Sequence, residues 1–174
     1  SPDFLSLTNL LNILSQSSSR IIIALGIAGI LITAGTDLSA GRMVGLAAVI
    51  SASLLQASDY AYKMYPNLVE LPLFVPILIA MSITGLLGAL NGFVVSKLHV
   101  PPFIATLGMM IGIYGLTSIY FDRPPYGAQP IGGLSESFRT FAQRGIPVGE
   151  YEIPYLIFYA IIASFIIWIV WNKT

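Results

Sequence analysis

Long uncharged stretches separate the few charged residues of this chain. Cutting the sequence at its charged residues and its single histidine leaves runs of 16, 16, 26, 22 and 20 residues at positions 21–36, 43–58, 71–96, 100–121 and 153–172. A helix needs about 20 apolar residues to cross roughly 30 Å of bilayer hydrocarbon, so the last three runs predict spanning helices. The first two reach only about 24 Å and predict shorter segments that borrow flanking residues or meet inside the protein. The pattern predicts about five membrane segments.

The composition agrees with a membrane location and excludes several classes of function. Only 9% of the residues are charged, against roughly 25% in an ordinary soluble domain. Eight basic residues balance eight acidic ones, so no net charge attracts nucleic acid. The chain has no cysteine and one histidine, His99, which removes disulfide frameworks, cysteine nucleophiles and histidine-based metal sites. We therefore predict an all-α, polytopic helical membrane bundle without catalytic or metal-binding residues.

The N-terminal residues 1–20 differ from the runs that follow. Leucines and isoleucines alternate there with serine, threonine and asparagine, which predicts a short amphipathic helix at the membrane interface. An ordered linker is the alternative. The chain starts without methionine and stops just after a run of spanning length, so we expect a fragment of a longer protein.

A break in the helical pattern is predicted near Asp37. Gly35 can end one helix, and Thr36 or Asp37 can cap the next. Irregular backbone at membrane depth occurs where it is buried in protein or lines a wet cavity, and interrupted segments often mark transport sites. The same motif also fits a tight surface turn, in which Asp37 only caps a helix and Arg42 reaches toward the membrane surface.

Glycines and polar residues within the runs give two further predictions. Glycines four residues apart allow close approach of helices and predict packing seams of a compact bundle, with a dimer face as the alternative. These glycines are Gly41, Gly45, Gly88, Gly92, Gly108 and Gly112. The candidate residues of a substrate pathway are Thr36, Asp37, Ser39, Asn91, Thr106 and Thr117. Asn91 and the threonines can equally bond a neighbouring helix or their own helix carbonyls.

Residues 122–152 form the one long polar segment and carry seven of the sixteen charges. Such a length predicts a functional binding loop or a disordered stretch outside the membrane rather than a simple hairpin. Two phenylalanines among charges at 135–144 predict a short surface helix within it. Basic residues number five on the side of this loop and three on the other if five spans are assumed. The acidic residues are concentrated on the same side, so charge counting does not decide the orientation.

Three ordered motifs carry a family resemblance. They are Gly-Thr-Asp-Leu-Ser-Ala-Gly at 35–41, Ala-Leu-Asn-Gly at 89–92 and Val-Pro-Pro-Phe-Ile-Ala-Thr-Leu-Gly at 100–108. Together they resemble the membrane permeases of bacterial ATP-binding-cassette importers for sugars of the ribose and galactose type. The whole chain resembles the N-terminal half of the galactose branch, which implies galactose or methyl-galactoside as the cargo.

The resemblance also implies partners and an orientation. It implies an inner-membrane homodimer of permeases, a periplasmic sugar-binding protein and a cytoplasmic ATPase that binds the ATP. The chain contains no Gly-Lys dipeptide and hence no GxxxxGK[ST] phosphate loop, in agreement with hydrolysis by a separate subunit and no cofactor in this chain. The expected domain layout is one permease domain over 1–174, with an interfacial segment at 1–20, four membrane segments over 21–121, a periplasmic loop at 122–152 and a membrane helix at 153–172.

Other functions make different demands on the sequence. A permease for ribose or another monosaccharide, or an ion-coupled secondary transporter, would share the broken helix. An intramembrane hydrolase would need a nucleophile with its base, or two carboxylates, yet Asp37 is the only acid near membrane depth. A membrane anchor without transport activity would tolerate substitutions at Asp37 and Asn91.

Overall fold

A computed structural model describes residues 4, 6–33, 35–124, 127, 129–149 and 151–173. The helices are α1 (Leu7–Ile32), α2 (Ala40–Leu54), α3 (Phe74–Lys97), α4 (Pro102–Phe121), α5 (Glu136–Gln143) and α6 (Tyr155–Lys173), and strands β1 (Gly145–Val148) and β2 (Tyr151–Pro154) pair antiparallel. Among the described residues, α1, α3, α4 and α6 are long and apolar enough to cross a membrane, whereas α2 is a shorter apolar helix. The predicted polytopic helical architecture is confirmed.

Helix α1 corrects one predicted boundary. It runs without interruption through Arg20, so residues 7–20 are not a separate interfacial segment, and only one of the two expected short segments, α2, is short. Serine hydroxyls in this stretch donate hydrogen bonds to backbone carbonyls of the same helix. Ser18 donates to the Leu14 carbonyl at 2.7 Å, and Ser19 donates to the Gln16 carbonyl at 3.0 Å. These local bonds let the polar stretch continue as helix.

The described chain divides into two compact units. The first unit comprises residues 1–33 and 137–174. In it α1 packs along α6, and the small residues Ser18 and Ala160 are the buried positions of the two helices. The Phe141 ring stacks on Tyr159 at 5.0 Å, and the Tyr159 hydroxyl donates to the Phe141 carbonyl at 3.1 Å. Helix α5 confirms the predicted surface helix within the polar loop.

The β1–β2 hairpin was not predicted. Val148 pairs with Tyr151 across a tight turn in which Gly149 has a φ of 64°. Glycine adopts this left-handed conformation without the steric cost that other residues meet. The Gly145 N–H donates to the Glu152 side chain at 2.7 Å, and a side chain at Gly145 would collide with the Ile153 carbonyl.

The second unit, residues 34–136, consists of α2, α3 and α4. Their common core is the cluster of Leu46, Ile50, Ala80 and Ile113, of which Ile113 is fully buried. Outward-facing apolar residues remain open, such as Ile119 with 74% of its surface exposed. An apolar exterior of this kind suits contact with lipid.

A tight turn joins α3 to α4. His99 adopts a left-handed conformation with a φ of 56°, which is a common way to end a helix. Pro101 then precedes α4 and Pro102 opens it. Proline suits the first turn of a helix because the N–H that it lacks would have no partner within the helix.

Candidate functional site

The segment between α1 and α2 is held by a carboxylate. The Asp37 Oδ1 atom accepts hydrogen bonds from the Ser39 backbone N–H at 2.8 Å and from the Ser39 hydroxyl at 2.6 Å. Aspartate commonly forms a turn by bonding the backbone two residues further on, and here α2 begins directly after that turn, at Ala40. The predicted break is confirmed, and Asp37 fixes its geometry.

Thr106 ties this turn to α4. Its hydroxyl donates to the Thr36 carbonyl oxygen at 3.2 Å and also approaches the Phe103 carbonyl of its own helix at 3.4 Å. Thr106 is 3% exposed and Ser39 is fully buried. The structure thus brings the buried Ser39 and Thr106 together with the half-buried Asp37 and the exposed Thr36 in one polar cluster, which we call the turn cluster.

Asn91 lies at the same end of the second unit as the turn cluster. It stands six residues before the end of α3, while Thr106 stands four residues after the start of α4. These positions correspond to about 9 Å and 6 Å along the helix axes from the connecting turn. Asn91 is 7% exposed, and its side-chain oxygen has no hydrogen-bond partner in the part of the chain that the structure describes. A buried acceptor without a partner costs roughly 1–3 kcal/mol, so this oxygen is available to a donor.

Thr117 does not join the other predicted pathway residues. It lies eleven residues beyond Thr106 on α4, about 16 Å along the helix axis. Its hydroxyl donates to the Ile113 carbonyl of its own helix at 2.7 Å. The six candidates therefore separate into the turn cluster with Asn91 at one end and Thr117 toward the other.

The six predicted packing glycines do not form seams within the described chain. A Cβ atom added to any of them would meet no other atom within 4 Å, setting aside the glycine's chain neighbours and its own helix backbone. These are Gly41, Gly45, Gly88, Gly92, Gly108 and Gly112. The core between α2, α3 and α4 is built instead by the larger side chains of Leu46, Ile50 and Ile113 together with Ala80. Packing in this unit uses other helix faces than the glycine pattern predicted.

A hydrogen-bonded network at the far ends of α2 and α4 was missed by sequence reasoning. The Tyr120 hydroxyl lies 2.8 Å from the Ser53 hydroxyl and accepts from the Tyr65 hydroxyl at 2.8 Å. Arg123 donates to Tyr65 at 3.0 Å. An aromatic residue near the end of a span suggests a position at the lipid headgroups, and only the fold brings Ser53 and Tyr65 to Tyr120.

Beyond this network, Gln56 joins two loops into one layer. Its side chain donates to the Gly132 carbonyl at 3.0 Å and accepts from the Met64 N–H at 2.7 Å. Backbone bonds from Ala57 to Gly133 at 2.7 Å and from Ser135 to Leu55 at 2.8 Å run beside it. We call the layer of residues 55–65 and 132–135 the loop layer. Gly133 has a φ of 65° and lies against the Tyr60 ring, which a side chain at this position would overlap.

Acidic and histidine side chains are dispersed over the part of the chain that the structure describes. In the ranges that the structure covers, no three histidine, aspartate or glutamate side chains come together as possible metal ligands. What the second unit does offer is buried hydroxyl, amide and carbonyl groups among apolar helices. Groups of this kind form hydrogen bonds to an uncharged ligand.

Comparison with known proteins gives the family. The model of the family described as the permease component of the branched-chain amino acid transport system matches residues 9–174. The chain belongs to this permease family. The described residues contain four helices long enough to span a membrane, and the permease chain is a multi-pass protein of the bacterial inner membrane, as predicted.

Curated relatives of the permease chain carry sugar-import names. It is 52% identical over 99% of its length to the galactose/methyl galactoside import permease protein MglC of Escherichia coli K12, and covers 51% of that protein. It is 53% identical over 99% of its length to the protein of the same name from Haemophilus influenzae Rd, and covers 51% of that protein. The ribose import permease protein RbsC of Haemophilus influenzae Rd is 38% identical over 84% of the chain and 42% of the relative.

The match covers only part of each galactose relative. The permease chain spans about half the length of the galactose relatives that it matches. No solved structure matches it.

Proposed function

We propose that the permease chain is about half of the membrane subunit of an ATP-binding-cassette importer that moves galactose or methyl galactoside. The observation that carries this proposal is the 52% identity, over 99% of the chain, to a protein named as a galactose/methyl galactoside import permease. A separate ATPase subunit binds and hydrolyses ATP, and this chain binds no cofactor. A sugar-binding protein delivers the substrate on the periplasmic side, where residues 122–152 lie. Two permease copies form the pathway.

The turn cluster and Asn91, at the same end of the second unit, are the part of this chain best suited to meet a neutral sugar. Sugar hydroxyls donate and accept hydrogen bonds and carry no charge, so neutral groups such as the Asn91 amide and the Thr106 hydroxyl suit them. The unpartnered Asn91 oxygen supports this role, because a sugar hydroxyl could donate to it. Asp37 acts indirectly by holding the turn in place through Ser39.

Transport requires a part of the bundle that has two arrangements. The non-helical segment at 35–39 is the candidate, because it lies between two helices and meets α4 through the hydrogen bond from the Thr106 hydroxyl to the Thr36 carbonyl. Docking of the binding protein and closure by the ATPase would favour one arrangement over the other. The sugar passes as the arrangements exchange.

The test of this function is uptake by the full-length permease in a strain that lacks its galactose permease. Labelled galactose uptake is expected, and it should depend on the ATPase. Asp37→Asn keeps an oxygen that can accept from Ser39 and should retain most uptake, whereas Asp37→Ala removes both bonds and should lose it. Equal loss in Asn and Ala variants of normal membrane abundance would show that the carboxylate charge, and not the turn geometry, is needed.

Ribose is the second candidate substrate, favoured by the 38% identity to a ribose import permease protein. Labelled ribose in the same strains separates the two sugars. Ribose uptake without galactose uptake would reassign the substrate. Uptake that a proton ionophore abolishes and that persists without the ATPase would instead identify an ion-coupled transporter.

A further inference from the structure

The β1–β2 hairpin has one apolar face and one face that carries a carboxylate. Side chains alternate along a strand, and residues directly opposite each other in an antiparallel pair lie on the same face. The register therefore places four side chains together on the apolar face of the hairpin, which consists of Ile146, Val148, Tyr151 and Ile153. Pro147 and Glu152 pair on the opposite face. The hairpin is an amphipathic ribbon.

The described residues leave much of the apolar face uncovered. Ile146, Val148 and Tyr151 are 42%, 52% and 41% exposed. On the opposite face, Glu152 accepts a hydrogen bond from the Gly145 N–H at 2.7 Å. Neighbouring exposed apolar side chains mark a surface that meets a membrane or another protein. The level of the hairpin relative to the membrane decides between these two partners.

Helix α6 fixes that level. Strand β2 ends at Pro154, and α6 begins at the next residue, Tyr155. The Tyr155 N–H also donates to the carbonyl of Arg144, the residue before β1, at 3.1 Å. Both strands are thus attached directly to the start of the helix, and no linker separates the hairpin from the membrane.

The length of α6 places the edge of the hydrocarbon within the hairpin. Trp168 and Trp171 lie toward the other end of the helix, and Asn172 and Lys173 follow them. Tryptophan rings favour the headgroup level, so these rings mark the other membrane surface. They stand about 20 and 24 Å along the helix axis from Tyr155. Hydrocarbon of roughly 30 Å, measured from the rings, therefore extends about 6–10 Å beyond Tyr155.

The hairpin is short enough to remain within the membrane surface. Each strand has four residues and is about 10 Å long at roughly 3.4 Å per residue. A headgroup layer of roughly 5–7 Å covers the hydrocarbon on each side. A hairpin standing upright on α6 would thus end within the headgroup layer, and an inclined one would lie deeper. In either case the apolar face meets lipid before it reaches bulk water.

Helix α1 gives an independent observation at the same level. It packs beside β2, and Thr8 in its first turn lines a cavity together with Pro154. The apolar residues Leu7, Leu10 and Leu14 of these first turns are between 43% and 51% exposed. Two elements that meet at this level both leave apolar side chains uncovered, which agrees with lipid as their common surrounding.

We infer that the apolar face of the hairpin binds the lipid surface at which α6 begins. Ile146 and Val148 contact the upper part of the acyl chains, and the Tyr151 hydroxyl reaches the headgroups. Glu152 faces water on the opposite side, as in amphipathic segments that lie in a membrane interface. Apolar residues surround α6 on every side, so the helix alone does not fix its rotation or depth. The attached hairpin fixes both.

Cysteine substitution tests this position, because this chain contains no natural cysteine. Val148→Cys and Pro147→Cys, on opposite faces, are made separately in a cysteine-free, full-length permease in vesicles of phosphatidylethanolamine and phosphatidylglycerol. A charged, water-soluble methanethiosulfonate should label Val148→Cys about tenfold more slowly, because apolar surroundings that raise the pKa of a thiol by one unit leave about a tenth of the thiolate. Equal labelling rates would place both faces in water and overturn the inference.

Fluorescence quenching distinguishes lipid from a protein that covers the same face. A bimane fluorophore is attached to each cysteine, and the vesicles contain a lipid with a nitroxide near the headgroup end of its acyl chain. Fluorescence at Val148→Cys should be quenched as strongly as at Phe158→Cys, an exposed position on α6, and more strongly than at Pro147→Cys. Slow labelling of Val148→Cys without quenching would show that protein covers the face, which refutes lipid binding.

A second position and a thinner bilayer make the test independent of one variant. Ile146→Cys, on the same face, should repeat both results of Val148→Cys. Lipids with shorter acyl chains move the hydrocarbon edge toward α6, so labelling of Val148→Cys should become faster while that of Pro147→Cys stays unchanged. A Val148→Cys labelling rate that does not depend on acyl-chain length would contradict contact with the acyl chains.

Discussion

Replacing Gln56 should loosen the loop layer without unfolding the helices. Gln56 is 3% exposed and uses both ends of its amide, toward the Gly132 carbonyl and the Met64 N–H. Gln56→Met keeps a similar length but removes both hydrogen bonds and leaves their two backbone partners unsatisfied. A net hydrogen bond contributes about 1 kcal/mol, so the loop layer should lose about 2 kcal/mol of local stability.

Amide hydrogen exchange measures this loss where it occurs. About 2 kcal/mol corresponds to a roughly 30-fold faster exchange if exchange follows local opening. The Met64 N–H loses its acceptor, and the neighbouring Ala57 and Ser135 N–H groups should follow because they bond across the same two loops. Gln129→Met, at an exposed position, is the control and should change exchange less than about threefold. Equal exchange rates in the two variants would refute the claim that the Gln56 hydrogen bonds stabilise the loop layer.

Two further substitutions test the core of the second unit and the hydrogen-bonded network around Tyr120. Ile113→Ala opens a cavity in the core, so it should lower the free energy of unfolding of the full-length permease by about 2–5 kcal/mol. The measurement is a reversible unfolding titration in micelles. Ile119→Ala, on the exposed surface, is the control and should change the free energy of unfolding little. Tyr120→Phe should cost about 1–3 kcal/mol in the same titration, since Ser53 and Tyr65 lose a shared partner, and Tyr155→Phe is the control. If Ile119→Ala were as destabilising as Ile113→Ala, the assignment of Ile113 to the core would be contradicted. An unchanged stability of Tyr120→Phe would contradict a stabilising role for the Tyr120 network.

Some candidate residues could be predicted from the sequence and others could not. The break at Asp37 was predictable because capping residues and a glycine interrupt an apolar pattern within a few positions of one another. Helix α5 was predictable because its phenylalanines recur among charges. The start of α1 was not, because serines that bond their own helix carbonyls have the same composition as serines in a linker. The hairpin was missed, although Gly149 between β-favouring residues was a usable signal.

The sequence by itself determined that this is a multi-pass helical membrane protein of a permease family. Run length and charge content decide that result, and they act along the chain without reference to tertiary contacts. Only the tertiary structure decided which polar groups meet: Thr106 with Thr36 across 70 positions, and Ser53 with Tyr120 across 67. It also decided that no described helix packs on the glycine faces of α2 and α4. Helix packing selects one face of each helix, and the glycine spacing in the sequence is compatible with either a buried or an open face.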